Sequence, residues 1–297
     1  MKLKNLKLSF AALLMTGALA ACGNSEESTK ENDTSSEPKQ EEISGTVTAA
    51  GSTALQPLAE EAANDILEIY PNLSVTVQGG GSGTGVNQVA AGAIDIGNSD
   101  VPAAEKLEDQ SKVDQFVDTK VAGIAFAVVV NKDVSVDSLT DQQLQDIFSG
   151  KITNWKDVGG EDAEINVINR PASSGTRATF EKTIMNGVTV DDSIGTAQES
   201  NGAVEQAINS TPGSISYLAM SYLVGDKQDS LTTLKIDDVE PTTENIASGD
   251  YKFWAYEYMI TDGEPTGATK AFIDYISGDG FADKVKEMGY IPMTELE

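Results

Sequence analysis

Three turns rich in serine, threonine and glycine each precede a segment with helical character. They are Gly51-Ser52-Thr53, Gly79 to Gly85 in QGGGSGTG, and Ser173-Ser174-Gly175-Thr176. The first N–H groups of a helix lack intrahelical partners, glycine lets an anion approach the backbone, and hydroxyl groups add donors. One such turn alone indicates an ordinary helix cap, because the same residue types favour caps and turns. Three of them together favour an anion-binding site that carries no net charge.

The third turn lies between the only two arginines of the chain, Arg170 and Arg177, in RPASSGTR. The planar guanidinium group matches the oxygens of phosphate and carboxylate in a bidentate manner. We therefore predict that Arg170 contacts the anion directly. Arg177 lies within the following helix, where a salt bridge to a surface acid is an equally good interpretation.

Asp100 follows a short strand in NSDVP. A carboxylate repels an anion unless the anion carries a proton that it can donate. Hydrogen phosphate has such a proton whereas fully ionised sulfate can only accept, so one acid could reject sulfate. An aspartate after a strand also commonly caps the next helix, and from the residues alone that role is favoured.

The composition excludes several classes of function. The 297 residues suffice for one large or two modest domains, and 20 Lys plus Arg against 47 Asp plus Glu give a charge of -27. Such a charge argues against nucleic acid as a partner. The chain has no His and one Cys, which excludes His triads, His or Cys-cluster metal sites and disulfide frameworks. We expect neither a metal nor a cofactor.

The N-terminus has the features of a signal peptide over residues 1–21: three Lys, an apolar run too short to span a bilayer, and small residues before Cys22. The run Leu19-Ala20-Ala21-Cys22 resembles the bacterial lipobox, which predicts lipid attachment, as with palmitate, at Cys22. An ordinary cleavage site with a chance Cys is the alternative. Residues 22–44 are polar and charged, as expected of a disordered tether. Removal of three Lys and no acid gives a mature charge of -27 - 3 = -30.

Strand-like and helical segments alternate along the rest of the chain. Strands are predicted at 46–50, 74–78, 93–97, 121–130, 164–169, 214–217 and 251–260, and helices at 54–71, 86–92, before Gly150, after the third turn, and over 266–290. The apolar run 121–130 is typical of a strand buried on both faces, as in a parallel sheet covered by helices. The pattern predicts an α/β fold with two sheets in two facing domains and a ligand in the cleft. The C-terminal helical segment is expected to pack back on the first domain.

Five segments occur in an order that resembles the phosphate-binding receptors of bacterial phosphate ABC importers. They are AGSTALQP, QGGGSGTGV, IDIGNSD, LTDQQLQDIFSGKITNWKDVGG and RPASSGTR. The resemblance covers about residues 46–295. It implies a two-domain, type II periplasmic-binding-protein fold that closes by hinge motion over one buried phosphate in the interdomain cleft. Domain I would comprise 45–124 plus 247–297, and domain II 125–246.

The same resemblance implies the ligand set Thr53, Ala54 through its backbone, Ser82, Asp100, Arg170, Ser174, Gly175 and Thr176. Asp100 would accept the proton of the ligand. Ala172 stands where some members of the family carry an acid that pairs with the arginine, so Arg170 would be held differently here. Ala54 replaces an aromatic residue, which matters little if only its N–H is used.

The implied function is capture of inorganic phosphate by a monomeric receptor, without enzymatic activity, held by its lipid at the extracytoplasmic face of the cell membrane of a Gram-positive bacterium. Its partners would be phosphate and the permease subunits of an ABC transporter with a cytoplasmic ATPase. A receptor for sulfate or molybdate and an adhesin on the same scaffold are alternatives. A phosphoryl-transfer enzyme is disfavoured, because QGGGSGTG lacks the Lys-Ser/Thr ending of a nucleotide-binding loop.

Overall fold

A computed structural model describes residues 42–227 and 229–296 of the chain. The predicted signal peptide, the predicted lipid-bearing Cys22 and most of the predicted tether lie outside the described residues. Within the described part, no helix is long and apolar enough to cross a membrane.

Ten strands and eight α-helices form the described chain. The strands are β1 (Ser44–Gly51), β2 (Asn72–Gly79), β3 (Ile96–Ser99), β4 (Phe116–Val130), β5 (Ser138–Leu139), β6 (Asn166–Asn169), β7 (Thr196–Ala197), β8 (Ser214–Ala219), β9 (Thr232–Ile236) and β10 (Trp254–Asp262). The helices are α1 (Gln56–Asp65), α2 (Ser82–Ala90), α3 (Asp141–Phe148), α4 (Gly175–Phe180), α5 (Asn201–Ser210), α6 (Thr243–Ala247), α7 (Gly267–Ser277) and α8 (Ala282–Glu287). Each predicted strand and helix is confirmed with shifted ends, whereas β5, β7, β9, α5 and α6 were not predicted.

The long strand β4 connects two sets of strands into one hydrogen-bonded sheet. The strand order along this sheet is β2-β1-β3-β10-β4-β8-β6-β7. Residues 116–125 of β4 pair with β10, residues 126–130 pair with β8, and residues 128–130 pair also with β9. Fifteen residues extend over about 50 Å, so one strand can serve two sets of neighbours. The prediction of two separate sheets is therefore corrected to two sets of strands that share β4.

The prediction of parallel surroundings for β4 was wrong. The strand is buried from Val121 to Val130, but its partners β10, β8 and β9 all run antiparallel to it. Burial on both faces requires only that other elements cover the sheet on each side, and it does not specify strand direction. One of the covering elements is α7, which packs on α1, β1 and β4 as the C-terminal segment was expected to do.

Parallel pairing places the first two turns and Asp100 at one edge of the sheet. Strand β1 lies between β2 and β3, with Gly51 opposite both Gly79 and Asn98. Because the carboxyl ends of parallel strands meet at one edge, the segments that follow these strands lie side by side. The third turn follows β6, which is parallel to its neighbours β7 and β8.

An aromatic cluster supports the strands beneath the third turn. Phe180 stacks on Tyr217 with ring centroids 4.2 Å apart, and Phe148 meets Phe180 edge-on at 4.8 Å. Trp155, from the DIFSGKITNW segment, is buried and donates its indole N–H to the Gly213 carbonyl at 2.9 Å. The tryptophan of that segment therefore belongs to the core.

Candidate anion-binding site

The structure brings the predicted site residues together in the interior. Thr53, Ala54, Ser82, Asp100, Arg170, Ser174, Gly175 and Thr176 are all buried. None of the seven with a side chain exceeds 5% exposure. Burial of so many polar groups in one place requires that each finds a partner or serves a ligand.

Asp100 is the centre of a hydroxyl cluster. Its Oδ1 accepts from the Ser82 hydroxyl at 3.3 Å, and its Oδ2 accepts from the Thr176 hydroxyl at 2.9 Å. Its own N–H donates to Ser82 Oγ at 3.0 Å. The capping role left open for Asp100 is not what the structure shows, because the N–H of Ala103 in the next turn donates to Asp118 instead. The carboxyl group therefore remains directed at the site.

Glycine at position 175 permits this close approach. A Cβ atom there would lie 2.1 Å from Ser82 Oγ and 2.8 Å from Cβ and Cγ of Asp100. Contacts under about 3 Å do not occur between a real Cβ and such atoms, so a side chain would push α4 away from α2 and β3. The third turn can therefore meet the second turn and Asp100 only through a bare backbone.

Arg170 is buried, yet no carboxylate of the described residues forms a salt bridge with it. Its Nε donates to the Gln198 carbonyl at 2.9 Å and its Nη2 to the Glu199 carbonyl at 3.4 Å, while Nη1 has no hydrogen-bond partner among the described residues. Burial lowers the pKa of Arg170, which the nearby Tyr217 and Asp100 partly offset. A guanidinium stays protonated even so. Main-chain carbonyls thus hold the Arg170 side chain and leave its charge and one N–H donor available. They replace the acid that some family members carry at the position of Ala172.

Arg177 has a different role, and the salt-bridge interpretation is confirmed. Its Nε donates to Glu181 at 2.8 Å and its Nη2 to Asp192 at 3.1 Å, and its Nη1 donates to the carbonyl of Arg170 at 2.8 Å. Burial by itself lowers the pKa of Arg177, but the bonds to Asp192 and Glu181 raise it above its ordinary value. Its charge is balanced by two exposed acids, and it fixes the backbone at Arg170.

Ser52 and Thr53 of the first turn have different hydrogen-bonding roles. Ser52 Oγ accepts from the N–H groups of Ala54 at 3.0 Å and Leu55 at 3.1 Å, so Ser52 caps the turn. A ligand that bound the Ala54 N–H, as predicted, would have to share or replace that acceptor. Thr53 Oγ1 accepts from both the backbone N–H and the side-chain amide of Asn201, at 3.2 and 2.8 Å. Its own hydrogen is then free to donate elsewhere.

The sequence reasoning missed Asn201. Its Oδ1 accepts from the Ala219 N–H at 2.9 Å, which orients the amide so that Nδ2 faces Thr53. Ser200 caps α5 through the Ala203 N–H, and this cap in front of an amphipathic segment was a readable signal for a helix. Nothing in the sequence indicated that the helix would meet a residue 148 positions away.

Ser174, one of the predicted site residues, caps α4. Its Oγ accepts from the Arg177 N–H at 3.2 Å, which confirms the capping interpretation of this turn. The hydroxyl hydrogen is not used in that bond. Gly175 and Thr176 lie in the first turn of α4, where backbone N–H groups have no carbonyl acceptor in a preceding turn of the helix.

Contacts between the second and third turns close the site on one side. The Gly83 N–H donates to the Ser173 carbonyl at 2.9 Å, and Lys106 Nζ donates to the Ala172 carbonyl at 2.7 Å. Burial lowers the pKa of Lys106, while Glu181 and Asp100 act in the opposite direction.

A second carboxyl group, Glu257 on β10, lies beside Asp100 and was also missed. It is 0% exposed, and neither of its oxygens has a well-formed hydrogen bond within the described part of the chain. Burial raises the pKa of Glu257 well above its ordinary value, and the charge of the neighbouring Asp100 raises it further. Within residues 42–227 and 229–296, no group of three His, Cys, Asp or Glu side chains could hold a metal ion.

These features can be compared with those of known proteins. A family model described as the PBP superfamily domain matches residues 35–279. The phosphate-binding protein PstS of Bacillus subtilis is 44% identical over 293 residues, which cover 98% of this chain and 94% of that protein. The chain belongs to the PBP superfamily and, within it, to the family of PstS phosphate-binding proteins. The PstS of Borreliella burgdorferi is 29% identical over 255 residues, 82% of this chain and 89% of that protein.

Solved structures agree with this membership. One is described as a phosphate ABC transporter substrate-binding protein from Clostridium perfringens with bound phosphate; it is 29% identical, has a TM-score of 0.76, and is aligned over 84% of this chain and 99% of that chain. Another is an ABC-type phosphate transport receptor from Vibrio cholerae, 28% identical with a TM-score of 0.65 over 82% and 99% of the two chains. The predicted α/β periplasmic-binding-protein fold and the predicted family are therefore confirmed.

Proposed function

We propose that this chain binds inorganic phosphate outside the cytoplasm and delivers it to a membrane ABC transporter. The observation that carries the proposal is the presence in one site of a buried Arg170, which forms no ion pair within the described part of the chain, and a buried Asp100. A guanidinium selects an oxyanion, and an acceptor carboxylate beside it selects an oxyanion that still carries a proton. Hydrogen phosphate has both properties. The phosphate-binding relatives support the same ligand.

We assign anion recognition to the predicted set. Arg170 Nη1 and the hydroxyl groups of Thr53 and Ser174 would donate to phosphate oxygens. The hydroxyl groups of Ser82 and Thr176, which donate to Asp100, would hold that carboxylate beside the anion. The backbone N–H groups of Ala54, Gly175 and Thr176 would add donors. Asp100 would accept the proton of the ligand. Charge-assisted hydrogen bonds contribute about 1.5–3 kcal/mol each, so a set of this size exceeds the roughly 8 kcal/mol that micromolar affinity requires.

The proposal includes hinge closure between two domains, 45–124 plus 247–297 and 125–246. It is supported by β4, which exchanges its partner β10 for β8 between Ala125 and Phe126. Residues Glu42–Glu297 form one compact unit, in keeping with domains that are closed on each other. The domains would separate by bending at β4 and near Phe253, whose carbonyl accepts from the Phe126 N–H.

Membrane attachment would depend on Cys22. We propose that residues 1–21 are removed, that Cys22 carries a palmitate-containing lipid, and that residues 22–44 tether a monomeric receptor to the outer face of a Gram-positive cell membrane. Metabolic labelling with an alkyne fatty acid should mark the wild-type protein but not Cys22→Ser. Labelling that survives the substitution would exclude this anchor.

Receptor and enzyme can be separated directly. The names of the relatives describe binding and transport, which supports a receptor without turnover that passes phosphate to permease subunits driven by a cytoplasmic ATPase. The purified protein should release no phosphate from a phosphomonoester such as p-nitrophenyl phosphate. Steady release that Arg170→Met abolishes would favour an enzyme.

The decisive experiment compares phosphate with sulfate. The purified chain is freed of phosphate by dialysis against a scavenger and titrated by calorimetry with each anion. We expect wild type to bind phosphate in the micromolar range or tighter and to ignore sulfate. In Asp100→Asn the ratio of phosphate affinity to sulfate affinity should be at least about tenfold smaller than in wild type. The reason is that the amide can donate to an anion that carries no proton. Asp114→Asn, the same change at an exposed position, is the matched control.

Wild-type protein that binds neither anion would refute the phosphate proposal, and with it the site assignments. A preference for sulfate would refute phosphate as the ligand and the role of Asp100 in selectivity, and would favour the alternative of a receptor for another oxyanion. A wild type that binds no anion yet adheres to surfaces would favour the adhesin alternative.

A further inference from the structure

The buried carboxyl of Glu257 has no role in the site described so far. Along β10, Glu257 and Met259 are buried while Tyr256 and Tyr258 are half-buried, so the glutamate is on the core side of the strand. The β3–β10 ladder pairs Tyr258 with Ser99, and the same register continued by one residue brings Glu257 opposite Asp100. The β10–β4 register shifts between Glu257 and Tyr258, an irregularity of the kind that redirects a side chain.

Within residues 42–227 and 229–296, no cation forms a salt bridge with Glu257. The ionisable groups whose charges interact with Glu257 are Asp100 and the hydroxyls of Tyr290 and Tyr258. Tyr290 donates its hydroxyl to the Ala54 carbonyl and is therefore not a donor to Glu257. Within the described chain, Lys106 and Arg170 act on Asp100 rather than on Glu257. A fully buried carboxylate without a cation or donors is strongly unfavourable, so the group carries a proton.

A protonated Glu257 has one donor to place, and Asp100 is the acceptor beside it. A carboxylate offers about four lone-pair positions on its two oxygens. Ser82 and Thr176 fill one position on each oxygen of Asp100. A donor from Glu257 would fill a third, which leaves one position for the ligand.

We propose that Glu257 is a positioning residue for anion recognition, whose carboxylic O–H donates to Asp100 and holds it as the acceptor for the proton of the ligand. The inference rests on the proposed function, since it needs an oxyanion next to Asp100. With three positions satisfied by the protein, the last one faces the anion in a fixed direction. A ligand with a P–OH group completes the set, whereas an anion without a proton meets an acceptor that cannot turn away.

The role of the proton can be tested with two substitutions. Glu257→Gln keeps a donor and a similar shape but cannot ionise, and Glu257→Met removes the donor. The phosphate-stripped full chain is titrated with phosphate and with sulfate from pH 6 to pH 9. Glu264→Gln, at an exposed position, is the control.

We expect Glu257→Gln to bind phosphate within about threefold of wild type at pH 7 and Glu257→Met to bind at least about tenfold more weakly, with a smaller preference for phosphate over sulfate. Wild-type affinity should decrease at alkaline pH more steeply than that of Glu257→Gln. The reason is that ionised Glu257 would oppose both Asp100 and the anion. Infrared spectra should contain a protonated carboxylic acid band in wild type that shifts on phosphate binding and is missing in Glu257→Gln.

Three outcomes would overturn the inference: equal phosphate affinity and selectivity in wild type and Glu257→Met, equal alkaline dependence in wild type and Glu257→Gln, or no protonated acid band. A purely structural role would weaken both variants without changing the pH profile. If Glu257→Met does not fold, the pH profile and spectrum of Glu257→Gln still decide. Wild type that binds no phosphate would instead overturn the proposed function together with this role.

Discussion

Substitution of a single glycine should separate closure of the site from folding of the chain. Gly175 begins α4, and a Cβ added there would lie 2.1 Å from Ser82 Oγ and 2.8 Å from Cβ and Cγ of Asp100. The serine could rotate, but the Asp100 atoms are close to the backbone and cannot. Gly175→Ala should therefore hold the third turn away from the second turn and from Asp100.

The size of the effect follows from the cost of overpacking. Inserting one methyl group into a well-packed region costs about 1–3 kcal/mol, and 1.4 kcal/mol corresponds to a factor of ten in affinity. We expect phosphate affinity to fall by about 5- to 150-fold. The backbone of Gly175 is outside the positive-φ region, and alanine favours a helix over glycine by roughly 1 kcal/mol. The open chain should thus be no less stable than wild type.

Calorimetric titration with phosphate and thermal unfolding without phosphate measure the two quantities. Gly280→Ala is the control, because an added Cβ at Gly280 meets nothing within 4 Å. Phosphate affinity within about threefold of wild type would refute the closure geometry. A loss of affinity with an equal loss of stability in the absence of phosphate would show that the substitution acts on the fold instead.

Three further outcomes are expected. Asn201→Ala should lower phosphate affinity about tenfold in calorimetry, because the Thr53 hydroxyl loses its orienting amide, whereas Asn209→Ala on the exposed face of the same helix should not. Arg177→Met should lower the free energy of unfolding by roughly 1–3 kcal/mol in urea, because its ion pairs are lost, and should weaken phosphate binding in calorimetry less than Arg170→Met does, because Arg177 acts only through the backbone of Arg170. The pKa of Glu257 is raised in the folded chain, whereas in the unfolded chain the group loses its proton above about pH 4.3. The free energy of unfolding should therefore decrease as pH rises toward and through the folded pKa of Glu257. Urea midpoints of Glu257→Gln should accordingly fall less with pH than those of wild type, and parallel curves would contradict this.

Residues at the ends of strands were predictable because local chemistry defines them. The turns at Thr53, Ser82 and Ser174 follow strands and precede helices, and this pattern is visible within a few residues of sequence. The pairing of Arg170 with the third turn was readable for the same reason. Parallel pairing of β1 with β2 and β3 brings the first two turns to one edge, so their meeting could be anticipated, whereas their contact with the third turn could not.

The residues that support the site could not be anticipated in this way. Asn201 acts on Thr53 from 148 positions away, and Glu257 lies in an aromatic run where a lone acid would normally face solvent. Only the pairing of β10 with β3 turns Glu257 inward, and register between distant strands is not a local property. The direction of the strands beside β4 was predicted wrongly for a related reason. A run of buried residues shows that both faces of a strand are covered, but it does not show whether the neighbouring strands are parallel or antiparallel.

The chain has a net charge of -27, so attraction of an anion must come from the groups within the site itself. Surface charges are screened beyond about 8 Å at physiological ionic strength, so the buried groups dominate the interaction. Those groups include the Arg170 guanidinium, which main-chain carbonyls hold, and the Asp100 carboxyl group, beside which Glu257 is proposed to carry a proton. If Arg170 were paired with an acid, as Arg177 is, the site would be negative and would repel its ligand. The carbonyls of Gln198 and Glu199 therefore matter because they fix Arg170 in place without neutralising it, and hydroxyl and N–H dipoles supply the remaining attraction.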